Sequence, residues 1–243
     1  MRFEIELKTN KISIAYQMQI VSMIKEALKN IDEEYYKELY LFDETRKNKK
    51  IKDFAFSVYF KDFELKDDII KVNDKIILTI TSNNDLFMIK LYNALVSKKH
   101  YVYKEFTLDV DKIIMKEEKQ INQDSAIFTT LSPLCLISKD KNFLEVDDDE
   151  FEDSLNYICN LIVNNSCNRN LKKRLKFTNL DMKRVIVKEE IKNFSEITNR
   201  KYLCTKGMKG VFKLEGDKED LNILYKCGLG FRRSQGFGVV NLV

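Results

Sequence analysis

The chain is poor in residues that punctuate structure or bind metals. Its 243 residues hold one proline, Pro133, no tryptophan and one histidine, His100. Five cysteines (Cys135, Cys159, Cys167, Cys204 and Cys227) are scattered, with no CxxC pair. That pattern argues against a zinc site or a disulfide framework and fits a reducing cytoplasm. No run of about eighteen apolar residues occurs, so no membrane-spanning helix and no membrane partner are expected. The opening stretch MRFEIELKTN has no apolar h-region and reads as a strand, not a signal peptide. Glycine is scarce as well. There are seven, and four of them fall in the closing stretch CGLGFRRSQGFGVVNLV.

What is present is core-forming and charged. Apolar residues make up 44% of the chain, enough for one large core or two small ones, and a third of the residues are charged. The net charge of +4 says little alone, but the charge is segregated. Acidic residues gather at 145–153, EVDDDEFED, where they suit the positive end of a helix dipole. Basic residues gather at 46–52, at 168–176 and in the closing loop. Each run alone reads as a solvated face. Brought together, they would form a footprint for a polyanion.

Periodicity orders the elements. Phe3, Ile5 and Leu7 alternate with polar residues as in a half-buried strand. Ile14, Met18, Val21, Ile24 and Leu28 have helical spacing, with Ser13 placed as N-cap, and DEEYYKELY follows as a short helix. Strands are predicted at 53–60 and 75–81, a helix at 82–99 and one long strand at 100–115. This β-α-β-β-α-β order is that of a ferredoxin-like unit. The second half repeats it: extended chain at 125–137 interrupted by Pro133, a helix at 147–164, a strand at 180–191, and a strand pair at 201–216 with a turn near Lys206–Lys209. A helix at 217–228 capped by Asp217 and a strand at 237–243 complete it. The fold class is therefore α+β, two tandem ferredoxin-like domains spanning 1–120 and 121–243.

The closing loop carries most of the functional signal. Gly228 can end the helix in the left-handed region. Gly230, Gly236 and Gly238 allow close backbone approach to another surface. Amides of such a loop, with Ser234, can cradle phosphates, and Arg232 and Arg233 can pair with them. A GxGxxG nucleotide fingerprint is excluded by context, because here the helix precedes the glycines and the strand follows.

With these residues in view, the chain resembles the CRISPR repeat-RNA-processing endoribonucleases (Cas-six) of the RAMP superfamily. GLGFRRSQGFGVV is similar to the glycine-rich loop of that superfamily. MRFEIEL, KDFAFSVYF and FTTLSPLCLI are similar to its opening strand, its Lys-x-Phe-Thr-Phe-Ser strand and its Thr-x-Ser-Pro segment, in the expected order. The resemblance implies two ferredoxin-like domains and metal-independent cleavage of precursor CRISPR RNA within each repeat. A 2′-hydroxyl would attack the adjacent phosphate and leave a 2′,3′-cyclic phosphate. The implied partners are precursor and mature guide RNA, with other effector subunits or a homodimer also compatible. No cofactor or metal is implied.

The resemblance also shows a departure. Where many members carry a histidine before the second strand, this chain has Phe42 or Asp43, and the helix tyrosine position holds Lys25. The lysine near that strand matches Lys50 or Lys52. Three readings stand. Lys25, Lys50 and Lys52 can stabilise the transition state, with crowding lowering one pKa so that it acts as acid or base. Tyr36 or Tyr40 can supply a hydroxyl. Or the protein is a non-catalytic RAMP-type subunit that binds RNA without cutting it. Lys206 and Lys209, with Lys183 and Arg184, are expected beside the loop in an RNA-binding cleft. His100 reads as an ordinary strand histidine.

Overall fold

The alternation at the start of the chain does build a strand, β1 (Arg2–Lys8), whose Phe3, Ile5 and Leu7 are buried. The computed structural model describes residues 1–41, 51–190, 198 and 201–243. Lys50, Phe42, Asp43 and most of the basic run at 46–52 lie outside the described residues.

Five strands share the first sheet: β1, β3 (Phe54–Phe60), β6 (Ile76–Ser82), β7 (His100–Tyr103) and β8 (Phe106–Lys116), in the order β3-β6-β1-β8-β7 and antiparallel throughout. Setting aside the edge strand β7, this is the 2-3-1-4 order of a ferredoxin-like unit. Helices α1 (Gln17–Ile31) and α3 (Asp85–Ser97) turn Ile20, Ile24, Ala27, Leu28, Phe87 and Leu91 into its core. Each such large apolar side chain contributes roughly 1.5–3 kcal/mol when fully buried. Helix α2 (Glu33–Tyr40) follows α1 directly and is capped by Asp32, whose side chain accepts from the Tyr35 amide.

The second sheet repeats the order. Strands β9 (Ser125–Thr130), β10 (Lys176–Glu189), β11 (Leu203–Glu215) and β12 (Val240–Leu242) lie as β10-β11-β9-β12. Helices α4 (Phe151–Cys167) and α5 (Lys218–Cys227) bury Leu155, Ile158, Leu221 and Leu224 against Phe128 and Phe212. The two domains meet through polar groups as well as apolar ones. Arg2, 5% exposed, lies 4.5 Å from the Tyr225 ring centre and donates to the Val240 carbonyl at 2.9 Å. Thr81 Oγ1 donates to the Lys226 carbonyl at 2.8 Å. Among the described residues no helix is long and apolar enough to cross a membrane.

Several local expectations change. Ser13 does not cap α1, which begins after Tyr16; its hydroxyl accepts from the Ala15 amide instead. The span 100–115 is a hairpin, β7–β8, turned at Lys104. The span 201–216 has no turn at Lys206–Lys209. β11 runs through it, because Gly207 packs against Pro133 and Met208 pairs with Leu134. A small sheet of β2 (Lys11–Ser13), β5 (Ile69–Val72) and β4 (Phe63–Lys66) is an addition that periodicity did not reveal.

Candidate active site at the domain junction

Helical spacing places Met18, Val21 and Lys25 on one face of α1, and Tyr36 and Tyr40 on one face of α2. Both faces open on a cleft of about 420 Å³. The segment leading into β3 adds Lys52. From the second domain the glycine-rich loop adds Gly230, Arg232, Arg233 and Ser234. Thus Lys25, Tyr40 and Lys52, far apart in sequence, share one cavity with the closing loop.

The tyrosine ring organises the cations. Lys25 Nζ lies 4.9 Å and Lys52 Nζ 5.7 Å from the Tyr40 ring centre. Both distances are within cation–π range. Burial, and then the charge of Lys25, hold the Lys52 ammonium below its ordinary pKa. Burial first, and then Tyr36 and Tyr35, push the Tyr40 phenol above its ordinary value, so it stays protonated. The cleft therefore combines two lysine amines, one of them held below its ordinary pKa, and a phenol that keeps its proton.

The two arginines, expected from the sequence to pair with phosphates, turn onto acceptors inside the protein. Arg233 is 4% exposed, and its guanidinium donates to the main-chain carbonyls of Cys227 and, at 2.9 Å, Lys52. It ties the loop to the segment that carries Lys52. Arg232 forms a two-pronged pair with the wholly buried Glu189, both N–O distances being 2.8 Å, and donates to Thr205 Oγ1 at 2.6 Å. Both charges are spent on internal acceptors, because a guanidinium placed in a dry junction needs fixed partners. Nothing in the sequence flagged Glu189 or Thr205 as those partners.

The glycines serve the same packing. A Cβ at Gly238 would come within 1.9 Å of the Leu229 carbonyl oxygen, and one at Gly230 within 2.7 Å of the Cys135 carbonyl oxygen. Gly228 and Gly236 abut Ala55 and Phe56 of the first domain. The close backbone approach is thus to the protein's own interior, and of the four only Gly230 lines the cleft. Lys206 and Lys209 do not line it either. Lys206 Nζ lies 3.8 Å from Glu145, and Lys209 borders a second cavity. Lys183 and Arg184 are paired with Asp181 and Glu145. His100, exposed on β7, contacts Asp109 at 2.6 Å and is not part of the cleft.

Known proteins place this architecture. Residues 115–242, more than half of the chain, match the family described as CRISPR associated protein Cas6, C-terminal. No curated protein matches the chain. Among solved structures, a Cas6-related protein from Pyrococcus furiosus superposes with a TM-score of 0.82 at 22% identity, covering all of this chain and 98% of that one. A structure described as a RAMP protein binding different RNA substrates gives 0.81 at 22% identity, covering all of this chain and 99% of that one. A Cas6 product complex gives 0.69 at 11% identity, again covering all of this chain and 99% of that one. These likenesses carry the two-domain ferredoxin-like fold. The chain belongs to the CRISPR-associated Cas6 family.

Proposed function

We propose that the protein binds precursor CRISPR RNA and cleaves it within each repeat, without a metal or cofactor, in the cleft lined by Lys25, Tyr40 and Lys52. The observation that carries this reading is the cleft itself, where two lysines flank one tyrosine ring beside the family's closing loop. Lys52, in its deprotonated form, accepts the proton of the attacking 2′-hydroxyl. The oxygen bonds to phosphorus, and the added negative charge of the phosphorane faces the Lys25 ammonium. The bond to the 5′-oxygen breaks as Tyr40 donates its proton there. The products are a 2′,3′-cyclic phosphate and a 5′-hydroxyl. Arg233 acts by holding Lys52 in place, and Arg232 by holding the loop on Glu189. Alignment of the 2′-oxygen with the phosphate supplies much of the rate. Supporting the reading, the complexes among its structural relatives include RNA substrates and a product.

The test is incubation of the purified protein with end-labelled repeat RNA in EDTA. A single cut, abolished by a 2′-deoxy at the attacking nucleotide, is expected. Tight binding of RNA that stays intact would instead make the protein a non-cleaving subunit.

A further inference from the structure

Lys52 is carried on a stretch that no sheet holds. Residues 51–53 lie ahead of β3 and belong to no strand or helix, so side chains from elsewhere set their position. Arg233 donates to the Lys52 carbonyl at 2.9 Å, and Ser82 Oγ to the Asp53 carbonyl at 2.5 Å. A further anchor comes from the second domain. Asn165, in the last turn of α4, donates through its amide nitrogen to the Ile51 carbonyl at 3.4 Å and to Asp53 Oδ1. The two hydrogens of one amide group serve both acceptors. The same turn is tied to the first domain, because the Asn83 amide donates to Ser166 Oγ at 2.9 Å. Ile158, Ile162 and Val163 bury another face of α4 in the second core, which makes the helix a firm platform. Arg233 fixes where the Lys52 carbonyl lies. Bonds to the residues on either side fix which way the Lys52 side chain leaves the chain.

We propose that Asn165 is a positioning residue for cleavage: by gripping the chain on both sides of Lys52, it aims the Lys52 amine into the cleft beside Tyr40. The proposal rests on the reading above, in which Lys52 takes the proton of the 2′-hydroxyl. Asn165 is not among the residues that line the cleft, so it acts through Lys52 and not on the RNA. The second domain thereby sets the aim of a group that the first domain carries. Proton transfer requires the amine within hydrogen-bond reach of the hydroxyl, and a displacement of about 1 Å can cost about 100-fold in rate.

The test is single-turnover cleavage of repeat RNA at saturating enzyme, across pH, by Asn165→Ala and Asn165→Leu, alone and combined with Lys52→Ala. Both replacements are good helix formers at an exposed position, so α4 persists. Each alone should slow cleavage by about 10- to 100-fold and leave the RNA dissociation constant near that of the wild type. The rising limb of the pH profile should move to higher pH, because an amine released from the cleft escapes the burial and the Lys25 charge that hold its pKa down. In Lys52→Ala, neither replacement should slow the reaction further, since Asn165 acts only through Lys52. A wild-type rate in both single variants overturns the proposal. So does a loss repeated in full in Lys52→Ala, or a limb that stays in place, since either marks a role in folding alone. If Lys52→Ala itself cleaves at the wild-type rate, or the wild type cuts no repeat RNA, the functional reading fails and the proposal with it.

Discussion

Replacing Arg233 with methionine separates two accounts of the closing loop. The interior account assigns the guanidinium two charge-assisted bonds, to the Cys227 and Lys52 carbonyls. Each is worth about 1.5–3 kcal/mol, so about 3–6 kcal/mol is lost in gross terms. Methionine returns part of that, because burial already disfavours the charged group and holds its pKa down. The net cost is about 2–4 kcal/mol. For a chain of this size each kcal/mol moves the melting temperature by about 2–4 °C, giving a fall of about 5–15 °C. Thermal melting by circular dichroism reads that shift, and anisotropy with labelled repeat RNA against salt concentration reads phosphate contacts. Arg233→Met should lower the melting temperature and leave the salt slope of the folded protein unchanged. An unchanged melting temperature with a flatter slope would refute the reasoning and return Arg233 to the RNA surface.

Lys25→Ala should flatten the salt dependence of RNA affinity by about 0.7–0.9 in log–log slope, the value of one neutralised phosphate, measured at a pH where the Lys25 ammonium is charged. The pH profile of single-turnover cleavage should climb as the amine of Lys52, held below its usual value, loses its proton, and then level off. Lys52→Arg, which stays charged throughout, should lose the rising limb. Gly238→Ala places a Cβ 1.9 Å from the Leu229 oxygen at a φ of 75°, so it should destabilise by several kcal/mol, read as an early urea midpoint.

The fold was legible because each ferredoxin-like unit writes its order in alternating and helical periods. Strand β4 escaped notice because its four side chains are all exposed, and β5 because Ile70 and Val72 alternate over only four residues. The turn expected near Lys206–Lys209 is replaced by continuous strand, in which Gly207 makes room for Pro133 and Gly210 for the β10 backbone at Asp181. At the cleft, the positions of Lys25, Tyr40 and Lys52 could be singled out from the resemblance and from helix spacing. The direction of the arginines could not. Arg233 binds a carbonyl 181 positions away and Arg232 a carboxylate 43 positions away, and only tertiary structure creates those contacts. A basic pair in a glycine loop looks the same in sequence whether it serves a phosphate or the protein's own interior.

The most direct trial of the Lys25–Tyr40–Lys52 cleft is the single-turnover rate of repeat cleavage by Lys52→Ala at saturating enzyme, with RNA affinity measured on the same preparation. Loss of a proton-transferring group predicts a rate at least about 100-fold below wild type, with the dissociation constant changed only several-fold. Cleavage at the wild-type rate by that variant would contradict the account and place the chemistry elsewhere in the molecule.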